Sequence, residues 1–307
     1  MARALRPFAV PLRMPFRGVQ VRHGVLVSGH GGWGEFSPFA DYGPRLVARC
    51  LACAREAADG RWPAPVRARI PVNATVPAVD PAVAHDLVAR SGCTTVKVKV
   101  GVGDDDERVA AVRDALGSHG RIRVDANACW DVDGAVRNIR ALARHDLEFV
   151  EQPVATLEDM ARVRARVDVP IAIDESLRTA PDPLRVDARA AADVVVLKVQ
   201  PLGGVASSLR AAEACGLPAV VSSALETSVG IAAGLALAAA LPELPYACGL
   251  ATAALLAADV VRDPLVPDAG TVEVRRPEVD GAALGAHAAD AADPHVARLL
   301  SYAAEAA

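Results

Sequence analysis

Four β-rich segments follow one another at regular intervals between residues 94 and 176. They are TTVKVKV (94–100), RIRVDAN (121–127), LEFVEQP (147–153) and PIAIDES (170–176). Helical stretches such as DDDERVAAVRDALGSHG and VDGAVRNIRALARHD lie between them. Strands that alternate with helices at this spacing predict βαβ units and a parallel sheet.

The same rhythm extends outward on both sides of this stretch. The further segments are IPVNATV (70–76), VVVLKV (194–199), PAVVSSA (218–224) and PYACGL (245–250), so eight segments begin every 23 to 27 residues. Eight strands favour a closed barrel, and no G-x-G-x-x-G follows the first strand, which argues against a dinucleotide-binding open sheet. We predict a (β/α)8-type TIM barrel of the α/β class.

The two ends of the chain lie outside this repeat. Residues 1–69 contain short apolar runs separated by glycines, typical of a β-meander, and then a helical stretch. We predict that they form an α+β capping domain, joined by the C-terminal tail 271–307. Residues 70–270 are then the catalytic barrel.

Composition limits the class of protein and its partners. The 307 residues are 52% hydrophobic and 23% charged, with a net charge of −4, which excludes a disordered chain and gives no electrostatic footprint for nucleic acid. No apolar run reaches the roughly 18 residues of a membrane helix, so we expect no membrane partner. The first residues lack the apolar core of a signal peptide, and we expect a cytoplasmic protein. The sequence leaves the oligomeric state open.

Three consecutive predicted strands end in an acid: Asp125, Glu151 and Asp174. Neighbouring strands lie about 4.8 Å apart, so the three carboxylates should meet at one mouth of the barrel. Close carboxylates repel one another unless they are protonated or bridged by a cation. Oxygen ligands suit a hard ion, and Mg²⁺ keeps coordination positions open for water and substrate. We therefore predict a Mg²⁺ site, with Mn²⁺ as a substitute.

Three lysines accompany these acids. In TTVKVKV, Lys97 and Lys99 alternate with valines, so in a barrel the valines face the helices and both lysines point inside. Lys198 ends the sixth strand, with the acids between it and the other two lysines. Lysines around a metal ion suit removal of a proton next to a carboxylate, because the ion stabilises the enediolate and one lysine takes the proton. The expected partner is therefore a small-molecule carboxylate substrate.

Taken in order, the motifs resemble the muconate-lactonising subgroup of the enolase superfamily. They are Lys97-x-Lys99, Asp125-x-Asn127, Glu151-Gln-Pro, Asp174-Glu175-Ser176, Lys198-x-x-x-x-Gly203-Gly204 and the GWGEFSP stretch of 32–38. Within the subgroup, LKVQPLGG, VVSSALETSVG and the short capping region are most similar to the actinobacterial-type o-succinylbenzoate synthases. The resemblance implies a modified (β/α)7β barrel and a Mg²⁺-dependent lyase. The implied reaction is syn-dehydration of the cyclohexadiene carboxylate SHCHC in menaquinone biosynthesis.

The resemblance also implies roles for the charged residues. Asp125, Glu151 and Asp174 would hold Mg²⁺. Lys99 would remove the proton and later assist the departure of hydroxide, while Lys198 would stabilise the enediolate from the other side. Lys97 would contact the substrate carboxylate or tune Lys99.

Other residues are implied to bind the substrate. Ser222 and Ser223 on the seventh strand, with Arg17 and Gly18 in a loop of the cap, would line the distal pocket. Asn127 and Gly203 are further substrate-binding candidates.

Other functions remain open at this stage. N-succinylamino acid racemisation, dipeptide epimerisation and muconate cycloisomerisation use the same chemistry, and lysines on both sides do not separate them from dehydration. Strand eight reads PYACGLAT, without the acidic D-x-D motif that dipeptide epimerases often carry. A barrel that binds a carboxylate without turnover would be expected to lack some of these charged motif positions, and none is lost.

Overall fold

The computed structural model describes residues 3–305 and contains twelve strands in that range. The strands are β1 (Leu5–Phe16), β2 (Val19–Gly29), β3 (Gly32–Phe36), β4 (Arg69–Pro71), β5 (Ala74–Val76), β6 (Thr95–Lys99), β7 (Arg121–Asp125), β8 (Leu147–Glu151), β9 (Ile171–Ile173), β10 (Val194–Lys198), β11 (Ala219–Ser222) and β12 (Thr271–Glu273). The α-helices are α1 (Pro44–Ala58), α2 (Pro81–Ser91), α3 (Asp105–Leu116), α4 (Val132–Leu142), α5 (Leu157–Arg164), α6 (Glu175–Arg178), α7 (Ala188–Ala191), α8 (Val199–Leu202), α9 (Val205–Cys215), α10 (Ser228–Ala240), α11 (Gly281–Ala286) and α12 (Pro294–Glu305). Short 3-10 turns occupy Ala143–His145, Pro183–Arg185 and Thr252–Leu255.

Seven strands form one parallel sheet in the order β11-β10-β9-β8-β7-β6-β5. Their order in space follows their order along the chain, as in a barrel in which each strand pairs with its sequence neighbour. Each of these strands falls within a segment that the sequence analysis assigned to a strand. The prediction of a TIM-barrel architecture with a capping region is confirmed.

The segment at 245–250 differs from the prediction of a regular eighth strand. It forms only single bridges, from Cys248 to Val72 on one side and from Gly249 to Ser222 on the other. Its backbone still bonds both neighbours, since Cys248 N–H donates to the Pro71 carbonyl and Gly249 N–H donates to that of Val221. This extended segment therefore occupies the eighth position without a continuous ladder. The first predicted strand is likewise divided into β4 and β5.

The alternation in TTVKVKV places apolar and charged side chains on opposite faces of β6. Val96 and Val98 are fully buried in the main core, which lies between the sheet and the surrounding helices. The predicted orientation is therefore present, with the valines outward against the helices. Helix α10 is the most apolar helix and is buried along nearly its whole length. Within residues 3–305, no helix is both long and apolar enough to cross a bilayer.

The N-terminal strands form a separate antiparallel sheet in the order β1-β2-β3. A second apolar core joins this sheet to α1 and to Leu299 and Ala303 of α12. The tail contacts both parts of the molecule, because β12 pairs with β4 rather than with the N-terminal sheet. The division of the chain at residues 69 and 70 stays a prediction, and its outermost residues, 1–2 and 306–307, lie outside the described part of the chain.

Polar contacts attach this cap to the barrel. The Ser37 backbone N–H donates to Gln200 Oε1 at 3.1 Å, and Gln200 Nε2 donates back to Ser37 Oγ at 3.1 Å. The Glu56 carboxylate accepts the first backbone N–H groups of α9, from Val205 and Ala206. It thus takes the place of an N-cap side chain for a helix that begins after Gly204.

Candidate active site

The charged residues singled out in the sequence lie at the carboxyl ends of consecutive strands. The strand register places Lys99 beside Asp125 and Asp125 beside Glu151. Asp174 directly follows β9, and Lys198 ends β10 in register with Ser222. Parallel strands end at the same edge of the sheet, so these side chains meet at one mouth of the barrel.

The three lysines and three carboxylates form a single buried reaction cluster. Lys97 Nζ lies 2.9 Å from Glu151 Oε2 and 3.1 Å from Asp125 Oδ2. Lys99 Nζ lies 2.6 Å from Asp125 Oδ2, and Lys198 Nζ lies 2.5 Å from Asp174 Oδ2. The residues of all three carboxylates are at most 1% exposed, so the charges interact with little screening by solvent.

Burial and neighbouring charges change the proton affinity of the lysines in opposite directions. Burial lowers the pKa of Lys99; the Asp125 carboxylate opposes this, and the Lys97 and Lys198 cations add to the lowering. Burial also disfavours the charged form of Lys97, but the carboxylates of Glu151 and Asp125 outweigh it and raise its pKa above the ordinary value. Lys99 therefore gives up a proton more readily than Lys97 does.

The carboxylates show the same competition. Burial and the adjacent Asp125 carboxylate raise the pKa of Glu151 to about 7. Burial has the same tendency at Asp174, but Arg178 and Lys198 outweigh it and hold the pKa of that carboxyl well below its usual range. The repulsion that acts on Glu151 is of the kind that an added cation relieves.

A metal ion is compatible with the chemistry of these side chains but not with their present contacts. Within residues 3–305, no three His, Cys, Asp or Glu side chains are arranged to hold an ion. Ammonium groups lie against the carboxylate oxygens that would bind it. Three buried carboxylates on adjacent strands are nonetheless a donor set that suits a hard divalent cation. Binding would require the lysines to move off these oxygens.

A cavity opens above the reaction cluster. Lys97, Lys99 and Lys198 are among the residues that line it. Ser222, Ser223 and Arg17 also line it, and their role in substrate binding stays a prediction. Arg17 has a left-handed backbone (φ 52°), and its guanidinium carbon lies 5.0 Å from the centre of the Phe39 ring.

The other two substrate-binding candidates, Asn127 and Gly203, are not among the described residues that line the cavity, and their role stays a prediction. Asn127 contacts the cluster itself, because its Oδ1 accepts a hydrogen bond from Lys99 Nζ at 2.5 Å while its Nδ2 donates to Glu175. Gly203 ends α8 with a left-handed backbone (φ 92°), beside Arg49 and Ser207.

Several cavity-lining residues were not identified in the sequence. They are Phe16, Phe39, Thr75, Leu225, Gly249 and Thr252. They come from the cap, from β5 at the start of the barrel sheet and from the last segments of the barrel. No local sequence pattern therefore connects them. Arg178 was also missed, although its spacing of four residues from Asp174 on a helix allows the observed 3.0 Å ion pair.

One compositional signal does single out the cluster. The 307 residues contain only three lysines, and all three lie in the reaction cluster. Apart from the histidines, all the remaining basic side chains are arginines. A lysine can lose its proton near neutral pH when its surroundings favour this, whereas an arginine cannot.

Comparison with known proteins gives the same family throughout. Residues 81–285 match the family described as enolase C-terminal domain-like, and residues 8–58 match the one described as enolase N-terminal domain-like. Among solved structures, the muconate lactonizing enzyme from Pseudomonas fluorescens superposes with a TM-score of 0.82 at 22% identity, covering 94% of this chain and 98% of that one. The N-succinyl Arg/Lys racemase from Bacillus cereus gives 0.81 at 21% identity, covering 94% and 99%. At this identity, these structures establish the fold alone.

Relatives of known activity are more similar. The o-succinylbenzoate synthase of Thermobifida fusca is 65% identical over 279 residues, which cover 89% of this chain and 88% of that protein. The o-succinylbenzoate synthase of Mycolicibacterium smegmatis is 50% identical over 292 residues, which cover 93% and 90%. The chain therefore belongs to the enolase superfamily and, within it, to the o-succinylbenzoate synthase family.

Proposed function

We propose that this chain catalyses the dehydration of SHCHC to 2-succinylbenzoate. The observation that carries the proposal is the buried reaction cluster, with lysines on β6 and β10 and three carboxylates between them, in a chain 65% identical to an o-succinylbenzoate synthase. Dehydration of this kind breaks the C–H bond on the carbon next to the carboxylate and a C–O bond on the neighbouring carbon. It needs a base for the proton and cations for the negative charge that develops.

Lys99 is the acid–base group in this proposal. In its neutral form, Lys99 Nζ takes the proton from the carbon next to the substrate carboxylate, and the electron pair moves into the enediolate. The protonated Lys99 then donates to the departing hydroxide, which leaves as water while the ring becomes aromatic. Because both groups leave from one face in a syn process, a single acid–base residue is sufficient. Asn127 orients Lys99 through its 2.5 Å hydrogen bond.

The other two lysines act by charge. Lys198, three strands beyond Asp125 in the sheet, faces the enediolate from the opposite side and stabilises it. Lys97, which is paired with Glu151 and Asp125, stays protonated and holds the substrate carboxylate or tunes Lys99. Ser222, Ser223 and Arg17, which line the cavity, would bind the succinyl side chain.

A divalent cation completes the proposed site. Asp125, Glu151 and Asp174 would hold Mg²⁺, with Mn²⁺ as a substitute. When bound, the ion supplies positive charge that stabilises the enediolate. A dipeptide epimerase from Enterococcus faecalis with the same fold (TM-score 0.76, 24% identity, covering 92% of this chain and 98% of that one) has been solved in complex with Mg. We place this reaction in menaquinone biosynthesis and in the cytoplasm.

Racemisation of an N-succinylamino acid is the second candidate. Racemisation needs an acid–base group on each face, and the lysines on the two sides of the carboxylates meet that requirement without separating it from dehydration. Muconate cycloisomerisation and dipeptide epimerisation have no additional observation in their favour.

Deuterium exchange separates the two candidates. The purified protein with Mg²⁺ is incubated in D₂O with SHCHC and, separately, with an N-succinylamino acid. We expect SHCHC to lose water, and this reaction is measured by absorbance and by mass spectrometry. Deuterium at the α-carbon of the second compound, without dehydration of the first, would contradict the proposal and identify a racemase. Turnover of neither compound would show that the barrel binds its carboxylate ligand without reaction.

A further inference from the structure

A buried arginine of the cap contacts the wall of the reaction cavity from behind. Arg22 lies on β2, is 2% exposed, and is not among the residues that line the cavity. Its Nε donates to the Leu225 carbonyl at 2.9 Å, and its Nη2 donates to the carbonyls of Ala224, at 3.2 Å, and of Ser37. One guanidinium thus binds backbone from both the cap and the loop after β11.

The residues that Arg22 holds are themselves cavity residues. Ala224 and Leu225 line the cavity together with the preceding Ser222 and Ser223, so residues 222–225 form one continuous wall. Arg22 also lies over Phe39, another lining residue, with its guanidinium carbon 4.5 Å from the ring centre. The position of Arg22 therefore fixes two sides of the cavity.

This wall requires support because its backbone is strained. Leu225 has φ 65°, in the left-handed region that is unfavourable for an L-residue with a side chain. Such a conformation persists only where the surroundings hold it. The Arg22 bond to the Leu225 carbonyl and the 2.6 Å bond from the Ala224 N–H to Glu226 Oε2 hold this loop on its side away from the cavity.

Two buried carboxylates explain why a cation is retained there. Glu35 and Glu226 are 2% and 1% exposed, and both carboxylates interact electrostatically with the buried Arg22 guanidinium. We define Arg22, Glu35 and Glu226 as the cap cluster. Glu35 accepts the Thr227 and Gly230 N–H groups at the start of α10. Buried carboxylates without a partner cation would be strongly unfavourable, so Arg22 both balances the charge and shapes the loop.

We propose that Arg22 is a positioning residue that sets the shape of the distal cavity wall at residues 222–225 and so determines how the substrate side chain is bound. This inference rests on the proposed function for the identity of that side chain. Arg22 touches no reacting group, since its hydrogen bonds go to the backbone carbonyls of Ser37, Ala224 and Leu225 and it does not line the cavity. Its replacement should weaken substrate binding more than it slows the chemical step.

Matched Arg→Lys substitutions test this proposal. Lysine keeps the charge at position 22 but lacks the planar fork that binds three carbonyls. Arg67 is the control, because it also donates to three carbonyls, those of Ala238, Leu241 and Pro242, but lines no part of the cavity. We expect Arg22→Lys to raise KM for SHCHC at least fivefold and to weaken product binding, measured by calorimetry, by a similar factor. Its kcat should stay within about threefold, and Arg67→Lys should leave KM within twofold of the wild type.

A second variant tests the proposal if Arg22→Lys does not fold. Arg22→Met combined with Glu226→Gln removes the cation together with one buried anion, and we expect the same rise in KM. An unchanged KM in either folded variant, or a fall in kcat alone, would overturn the proposal. Loss of the folded state in both, detected by circular dichroism, would make Arg22 a purely structural residue and overturn it as well. Failure of the wild type to dehydrate SHCHC would instead contradict the proposed function.

Discussion

The reaction cluster and the cap cluster are both buried groups of mixed charge, but they use different cations. In the reaction cluster, three lysines contact the carboxylate side chains of Asp125, Glu151 and Asp174. In the cap cluster, Arg22 binds backbone carbonyls, and the two carboxylates bind mainly backbone N–H and hydroxyl groups. The first is a network of side chains, whereas the second fixes the backbone.

This difference follows from the chemistry of the two cations. A lysine has one nitrogen, which can release its proton when burial lowers its pKa, as at Lys99. An arginine stays charged and offers five N–H groups in a rigid fork, which suits several fixed carbonyls at once. We infer that changes in the reaction cluster affect chemistry, whereas changes in the cap cluster affect binding and stability. The predictions below test this separation.

The largest effect is expected from metal removal. Treatment with excess EDTA, followed by dialysis, should reduce dehydration of SHCHC to background, and added Mg²⁺ should restore it. Asp174→Asn should abolish turnover, because it removes one of the three carboxylates proposed to hold the ion. The fold should be retained, because asparagine has nearly the same size and keeps one oxygen that accepts a hydrogen bond from Arg178 or Lys198. Metal content, turnover and thermal unfolding check this prediction. Full activity after metal removal would contradict the assignment of Asp125, Glu151 and Asp174 as ligands.

Replacement of the proposed base should have the next largest effect. Lys99→Ala removes the group that transfers the proton, so we expect kcat to fall by about 10²–10⁴ or more. Affinity for 2-succinylbenzoate should change much less, in contrast to Arg22→Lys. Turnover within tenfold of the wild type would show that another group takes the proton.

Lys198→Arg should have a smaller effect on dehydration. The variant keeps positive charge opposite Lys99 but removes a usable base, so dehydration should persist with some loss from the different geometry of guanidinium. Any racemisation of an N-succinylamino acid should disappear, because that reaction needs a base on each face. If Lys198→Arg abolishes dehydration as completely as Lys99→Ala while product still binds, the single-base mechanism is wrong.

In the cap cluster, the expected effect is on stability. Burial and the Glu226 carboxylate raise the pKa of Glu35 from 4.5 to about 7. Between pH 4.5 and pH 7, Glu35 is more fully protonated in the folded state than in the unfolded state. The stability that this proton contributes is therefore lost as the pH rises towards 7. The side chain in Glu35→Gln cannot ionise, so this variant should not show the decrease. In the wild type we expect the free energy of unfolding to fall by about 1–3 kcal/mol between pH 4.5 and pH 8 from this group.

Urea unfolding of both proteins at pH 5 and pH 8 measures this difference. Glu213→Gln, at an exposed position of α9, controls for removal of a surface carboxylate. Parallel pH dependence in the wild type and Glu35→Gln would contradict a raised pKa at Glu35.

The smallest expected effect is a difference in titration between two lysines. Because the chain has only three lysines, labelling with [6-¹³C]lysine gives three NMR signals, which single substitutions assign. In the metal-free protein, Lys99 should titrate below the ordinary lysine value and Lys97 above it. Equal titration midpoints would show that the carboxylates do not distinguish the two lysines.

The sequence alone predicted much of the fold and the charged residues that meet at one end of it. Alternation in TTVKVKV predicted which face carries Lys97 and Lys99, and the regular spacing predicted that Asp125, Glu151 and Asp174 follow neighbouring strands. These inferences succeed because parallel strands repeat at fixed intervals and end at the same edge. The eighth segment deviated because it closes the barrel through single bridges, which local sequence does not specify.

The contacts between residues far apart in the sequence were decided only by the tertiary structure. The contact of Arg22 with Leu225 joins residues 203 positions apart. The hydrogen bond from Lys99 Nζ to Asn127 Oδ1 was not predicted from the sequence. The tertiary structure also decided which ammonium lies against which carboxylate, and hence the opposite pKa changes of Lys97 and Lys99. Periodicity determines the face on which a side chain lies, but the distances between side chains from distant segments are set only when the cap and barrel pack together.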